Sequence, residues 1–415
     1  MSLRQDCEVI IQDALKQVRP DAAVCRTVAG MDFGPGRLVL VAVGKAAWSM
    51  ANAAWNSLDR KPDTGIVITK YGHSEGPIGN LEVWEAGHPV PDEQTFAATG
   101  RALALTTGLN QGDTVLFLLS GGGSALFEKS PLPIQELRDI TQKLLASGAD
   151  IVEMNIIRKR LSDIKGGKFA VHCAPARVFS IVLSDIIGNP LDMIASGPTY
   201  PDMSTCEQAQ AIIRKYGLEL SAEASELIKV ETPKQFHNVD TRVTGSVTGL
   251  CLAAAEACEK LGYRPVILTD SLTCQAREAG AFLAAIARYH QSAEESLAFL
   301  AGGETVVKLT GTGKGGRNQE IALAAAEGIS GLEHTAVFSF GSDGTDGPTD
   351  AAGGFVTGKT QTVLQNQGVT IFDVLQNNDA YHALAQCEGL LITGATGTNV
   401  NDVSVVLIRR ESDLS

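Results

Sequence analysis

Residues 300–327, LAGGETVVKLTGTGKGGRNQEIALAAAE, set an apolar strand, two glycine-rich turns and the start of a helix in direct succession. The run reads as an anion-binding device. Gly315 and Gly316 leave backbone N–H groups open to close approach, and Arg317 offers a bidentate guanidinium. The helix expected over 318–325 begins at Asn318, and its N-terminus favours negative charge. Glu304, just past the strand, joins the binding candidates. A phosphate or carboxylate is the natural guest; the competing reading is an ordinary glycine-rich hairpin before a surface helix.

Five further apolar, β-rich runs end in polar or glycine-rich turns. The run at 38–43 leads into Gly44-Lys45, 115–119 into Ser120-Gly121-Gly122-Gly123-Ser124, and 179–183 into Ser184-Asp185. Residues 266–268 lead into Thr269-Asp270, and 335–340 into GSDGTDGP at 341–348. This predicts an α/β protein of strand-helix units whose carboxyl strand ends converge on a cleft. At 415 residues the chain exceeds a single core, so two α/β domains are expected with the active site between them. The polar stretch 218–240 is the candidate linker, giving domains 1–236 and 237–415.

A hydrophobic content of 44%, 20% charged residues and 43 glycines describe a folded enzyme and exclude a disordered chain. The net charge of −13 excludes nucleic acid as a partner, so an anionic ligand must meet locally concentrated cations. The eight cysteines show no CxxC pair or metal spacing. The amino terminus lacks a signal-peptide core, and no run reaches membrane-spanning length. A cytoplasmic protein is expected, and association into homo-oligomers stays open.

Three other segments could carry chemistry. In NIIRKRLSDIKGGK (155–168), Asn155, Arg158, Lys159 and Ser162 share one helix face, and Lys165 adjoins two glycines. The alternative is a solvated charged face. The segment 184–202 holds Asp185 and Asn189 in a long ordered loop; Asp185 could hold Mg²⁺, accept a proton, or simply cap a turn. Asp343, Asp346 and Asp350 recur in GSDGTDGPTD without the glutamate of a calcium loop, so a magnesium site shared with ligand phosphates is favoured over a calcium cage. The TGATGTNVND turn (393–402) looks like a further polar cradle. His73 and His88 read as structural.

Together these stretches resemble the glycerate 2-kinase family, whose C-terminal portion is called the MOFRL domain and whose members are often labelled hydroxypyruvate reductase. VAVGKAAWSMA (41–51), EAGHPVPDE (85–93), LLSGGGSALF (118–127), GKGGRNQEIALA (313–324) and NDAY (378–381) add to the segments already quoted, so the likeness spans nearly the whole chain. It implies transfer of a phosphoryl group from ATP to the 2-hydroxyl of D-glycerate with Mg²⁺, on a Rossmann-like N-terminal domain and a smaller α/β C-terminal domain. It also implies Lys45 and Arg317 as the catalytic cations. Phosphoryl transfer is mainly positioning and charge neutralisation, which suits two cations and an acidic turn. Asp185, Asp343 and Asp346 are the expected metal ligands, with Asp185 also a catalytic candidate. The 120–124 turn with Asn155 and Arg158 is the expected carboxylate clamp. The chain departs from the family at Cys274-Gln275 and after Ser246, so base and ribose contacts are not carried over there. The rivals are an NAD(P)H-dependent hydroxypyruvate or tartronate reductase, for which no GxGxxG stands between strand and helix, and a non-catalytic sugar-acid sensor.

Overall fold

A computed structural model describes residues 2–184, 188, 191–394 and 396–410, which divide into two units. The first comprises 20–184 and 191–244, the second 2–19 and 245–410. In the first unit, β1 (Leu38–Val43), β2 (Thr64–Lys70), β3 (Glu82–Ala86), β4 (Thr114–Leu119), β5 (Arg177–Val182) and β6 (Val239–Val243) form one sheet. Its order is β3-β2-β1-β4-β5-β6 and every pairing is parallel. This is the doubly wound order of a Rossmann-type sheet. All six residues of β1 (LVLVAV) and of β4 (TVLFLL) are buried, as expected where helices cover both faces of a parallel sheet.

The second unit holds β7 (Arg264–Leu272), β8 (Leu297–Gly303), β9 (Thr335–Gly341), β10 (Gly353–Thr357), β11 (Leu390–Leu391) and β12 (Asp402–Ile408), ordered β11-β10-β9-β12-β8-β7. Only β7 and β8 pair in parallel. The repeated strand-helix pattern expected from sequence therefore gives way here to a mixed sheet. Central β12 runs antiparallel to both neighbours, and its register sets Asp402 opposite Gly303 on one side and Gly341 on the other. The first residue of β12 thus lies at the carboxyl ends of β8 and β9.

The expected boundary near 236 needs correcting. It precedes β6, which completes the first sheet through pairs from Val178 with Val239 to Val182 with Val243. The stretch read as a linker contains a helix, Ala222–Ile228, and anchors inward: Glu231 pairs with Arg160 at 3.4 Å, and Thr232 donates to buried Asp202 at 2.7 Å. The N-terminal helix Leu3–Val18 is also reassigned, to the second unit. Cys7, Ile10, Ile11, Ala14, Leu15 and Val18 form its buried face, Tyr263 donates to Asp6 at 2.6 Å, and Arg4 donates to Leu390 O at 2.9 Å. An apolar stripe shows that a helix docks somewhere and leaves the partner to the tertiary fold.

Candidate active site

In the first unit the candidates gather at the carboxyl ends of β1 and β4, the point where strand order reverses and ligands bind in such sheets. Gly44 has φ +123°, and a Cβ there would lie 2.2 Å from Ser120 Oγ. That closeness lets the two turns zip together: Lys45 N donates to Gly121 O at 2.9 Å and Ala46 N to Ser120 Oγ at 3.0 Å. Buried Ser120 thus braces the Lys45 turn. The Lys45 side chain is exposed, and its ammonium makes no hydrogen bond or ion pair among the described residues. Gly122, at φ +87°, leaves room for His88; a Cβ would meet His88 Nε2 and Lys45 Cγ, each at 3.1 Å.

The polar stripe on the helix Ile151–Leu161 is mostly internal. Asn155, Lys159 and Ser162 are buried. Asn155 Oδ1 accepts from Ser196 at 2.8 Å, Lys159 pairs with Asp192 and Asp202 at 3.2 Å each, and Ser162 donates to Glu128 at 2.6 Å. Lys165, fully buried, donates to Ser124 O at 3.0 Å and Phe127 O at 2.7 Å and pairs with Glu128 at 3.3 Å. It holds the chain after the 120–124 turn from within. Arg158 differs: it is half-buried and makes no hydrogen bond or ion pair among the described residues. Burial works against its charge, with Glu128 as the opposing influence. Asp185 and Asn189 lie outside the described residues. A groove of about 720 Å³ lined by Arg177, Phe236 and Asp240 lies near the amino ends of β5 and β6, away from all these candidates.

In the second unit the glycine-rich run is strapped down. Gly311 N donates to Asn378 Oδ1 at 2.9 Å, Gly313 N to Asn377 O at 2.8 Å and Lys314 N to Asp379 Oδ1 at 2.9 Å. The N–H groups of Gly315 and Gly316 donate to nothing among the described residues and remain open to an anion. The next two are taken. Asp346 accepts from Asn318 N at 3.1 Å and Gln319 N at 2.9 Å, capping the helix Arg317–Gly328 with an internal carboxylate. Gly316 admits that carboxylate, because a Cβ would fall 2.3 Å from Asp346 Cγ. Asn318 is buried and accepts from Ser339 at 2.5 Å. Asp343, half-exposed, accepts from Thr345 N at 2.9 Å.

Arg317 is clamped. Its Nε and Nη2 donate to the two oxygens of Asp402 at 2.5 and 3.1 Å, and Nη1 donates to Glu304 at 3.2 Å. The chain matches a domain of unknown function (DUF4147) over residues 6–229 and the MOFRL family over 297–402. It is 49% identical over 413 residues to the D-glycerate 2-kinase of Thermotoga maritima, covering 98% of this chain and 99% of that protein. It is also 37% identical over 439 residues to the glycerate 2-kinase of Pyrococcus horikoshii, covering 98% of each. The chain belongs to the glycerate 2-kinase family. The crystal structure of the Thermotoga maritima glycerate kinase shares the fold with a TM-score of 0.92 at 48% identity, over 98% of this chain and 99% of that one.

In this glycerate 2-kinase family member the Arg317 charge of the second unit is paired with Asp402 and Glu304. Burial opposes the Arg317 charge, yet the Asp402 bonds and the nearby Glu304 and Asp346 carboxylates hold its pKa above the ordinary guanidinium value. Burial pushes Asp346 up to about 6 against its two backbone donors, helped by the Asp402 charge. Sequence reasoning missed Asp402 as the partner of Arg317, because it sought functional groups after strands and Asp402 begins an antiparallel one. It also set His88 aside. The signal available for His88 was its place two residues beyond the carboxyl end of β3, as the histidine of the GHP stretch at 87–89.

Proposed function

We infer that this protein transfers the γ-phosphoryl group of ATP to the 2-hydroxyl of D-glycerate, giving 2-phosphoglycerate and ADP. The observation that carries this reading is end-to-end identity of 49% to a D-glycerate 2-kinase, joined to a chain that keeps the cations such a transfer needs. Lys45 supplies an uncompensated ammonium at the switch point of a Rossmann-type sheet, and Arg317 with the Gly315 and Gly316 N–H groups supplies a second anion-facing set. Cations and fixed dipoles aimed at a transferring phosphoryl group act chiefly by stabilising its charge. Arg158, half-buried and unpaired among the described residues, is the preferred clamp for the glycerate carboxylate. The reductase alternative lacks the glycine fingerprint: β1 runs into Gly44-Lys45-Ala46-Ala47.

Mg²⁺ fits as an ion shared with the nucleotide. No cluster of three or more acidic, histidine or cysteine side chains able to hold a metal exists among the described residues. Asp346 and Asp402 have both oxygens engaged. Asp343 uses one oxygen in its turn and would hold the ion together with ATP phosphates and Asp185, the usual manner for magnesium. The ion would supply charge neutralisation on those phosphates. Eight free cysteines suit a reducing compartment, so the cytoplasm is the proposed location. Among the described residues no helix is long and apolar enough to cross a membrane.

Incubation of the purified protein with ATP, Mg²⁺ and D-glycerate, followed by enolase, tests the reading. Phosphoenolpyruvate is expected, since enolase accepts the 2-phospho isomer. ADP without phosphoenolpyruvate would overturn the acceptor position, and NADH oxidation with hydroxypyruvate in place of both would restore the reductase.

A further inference from the structure

His88 stands at the carboxyl end of β3 with its Cδ2–Nε2 edge toward Gly122; a Cβ on Gly122 would lie 3.0 and 3.1 Å from those two atoms. Neither ring nitrogen makes a hydrogen bond among the described residues. Three other histidines are bonded: His73 Nδ1 is 3.3 Å from Lys45 O, His172 Nε2 is 3.0 Å from Leu103 O, and His382 Nδ1 is 2.6 Å from Asp379. The rings of His237 and His290 make no hydrogen bond among the described residues either, and what sets His88 apart from them is its place at a carboxyl strand end against Gly122 with the Lys45 charge bearing on it. A half-buried imidazole with two unpaired nitrogens, beside an unpaired lysine, is arranged for a ligand.

The charges around it fix its state. Lys45 after β1, Lys70 at the end of β2 and His73 beyond it all bear on the ring. The carboxylates on neighbouring turns are engaged elsewhere: Glu85 accepts from Gly72 N and Ser74 N at 3.0 Å each, and Asp92 accepts from Thr95 N at 2.9 Å and Tyr71 OH at 2.8 Å. Burial first, then the Lys45, Lys70 and His73 charges, lower the His88 pKa from the ordinary 6.5. A ring kept neutral adds little to the positive charge already offered by Lys45, but it can accept a proton.

We propose that His88 is the general base of the transfer, taking the C2 hydroxyl proton of glycerate on Nε2. The hydroxyl oxygen forms its bond to the γ-phosphorus as the bond from that phosphorus to the β,γ-bridging oxygen breaks, and the bridging pair leaves with ADP. The imidazolium then returns the proton to solvent. This assignment rests on the glycerate 2-kinase reading, and it gives to a histidine the role that Asp185 was expected to fill.

The decisive measurement is the pH profile of kcat for wild type and His88→Gln in the enolase-coupled assay. Wild type should lose rate as pH falls below the ordinary imidazole range, whereas His88→Gln should fall about 100-fold or more with KM little changed and no such acid limb. A His88→Gln enzyme that keeps the limb overturns the proposal. Two further readouts do not depend on that variant folding. The wild-type limb should shift with temperature as an imidazole ionisation does, and a temperature-insensitive, carboxylate-like limb overturns the proposal in favour of an acid. Added imidazole should restore turnover to His88→Ala, which a purely structural histidine would not permit. A wild-type enzyme that makes no 2-phosphoglycerate removes the function reading and this proposal together; an active wild type with an unchanged limb in His88→Gln removes this proposal alone.

Discussion

The two units each carry a proposed catalytic cation at the carboxyl end of a sheet, and they hold it in opposite ways. Lys45 is exposed and unpaired among the described residues. Arg317 is only about one-third exposed and is gripped by Asp402 and Glu304. In the all-parallel sheet, every strand brings its carboxyl end to the ligand side, where turns and backbone donors collect. In the mixed sheet, the antiparallel β12 brings the start of a strand to the same edge, and with it a carboxylate. The free cation is a charge awaiting an anion, while the clamped one is a charge already oriented. Removing them should therefore have different consequences.

The largest expected effect is on turnover in Lys45→Ala, a loss of about 10³-fold by analogy with other phosphoryl-stabilising cations. Thermal unfolding should stay at the wild-type temperature, since no partner is left behind. A matched fall in melting temperature would break the comparison. Arg317→Ala should lose a similar factor in rate and also destabilise the fold, because Asp402 remains buried without its counter-charge. Breaking a buried pair costs about 3–5 kcal/mol, and the partial exposure of Arg317 argues for the lower end. Urea denaturation should show this loss, and Arg317→Ala with Asp402→Asn should recover part of it; an unperturbed single variant would mean that the clamp contributes nothing to stability.

The same contrast sharpens within the first unit. Arg158→Ala should raise KM for D-glycerate about tenfold or more, the worth of one charged hydrogen bond, at near-wild-type stability. Lys165→Met should chiefly lower stability, because it strands Glu128 and two carbonyls. Steady-state kinetics and melting curves on the pair separate ligand clamp from internal brace, and the reverse pattern would exchange their roles.

The last contrast concerns pH. The carboxyl of Asp346 is raised from 3.8 to about 6 in the folded state, so the folded protein binds that proton more tightly than the unfolded chain. Its contribution to stability is fully present below 3.8 and is lost as pH rises through about 6, up to roughly 3 kcal/mol. Without added metal or nucleotide, the stability difference between wild type and Asp346→Asn should move against wild type across that window. A difference that is flat with pH would show that the backbone donors offset burial in full.

Much of this was legible in sequence. Strand β1 was read to the residue, and β4, β5 and β9 to within about two, because period, turn chemistry and branched residues are set by near neighbours. The Lys45 turn and the helix after Gly316 were legible for the same reason. Strand β12 was not, since residues 402–408 follow a polar turn that drew the reading toward a cradle. Nor was the fate of the glycines: the donors of Gly311, Gly313 and Lys314 bond to residues 377–379, a segment more than 60 positions away.

By itself the sequence determined the α/β class, the family, the net negative charge, and which cations sit on turns. Only the tertiary structure decided which of those cations are free. Arg317 and Asp402 are 85 positions apart, and the antiparallel register of β12 brings them together; Lys165 is turned inward to two carbonyls and Glu128, and His88 is left unpaired among the described residues next to Gly122. The physical reason is range. Propensity and turn chemistry act over a few residues, whereas ion pairing and desolvation depend on which distant segments the packed core sets side by side.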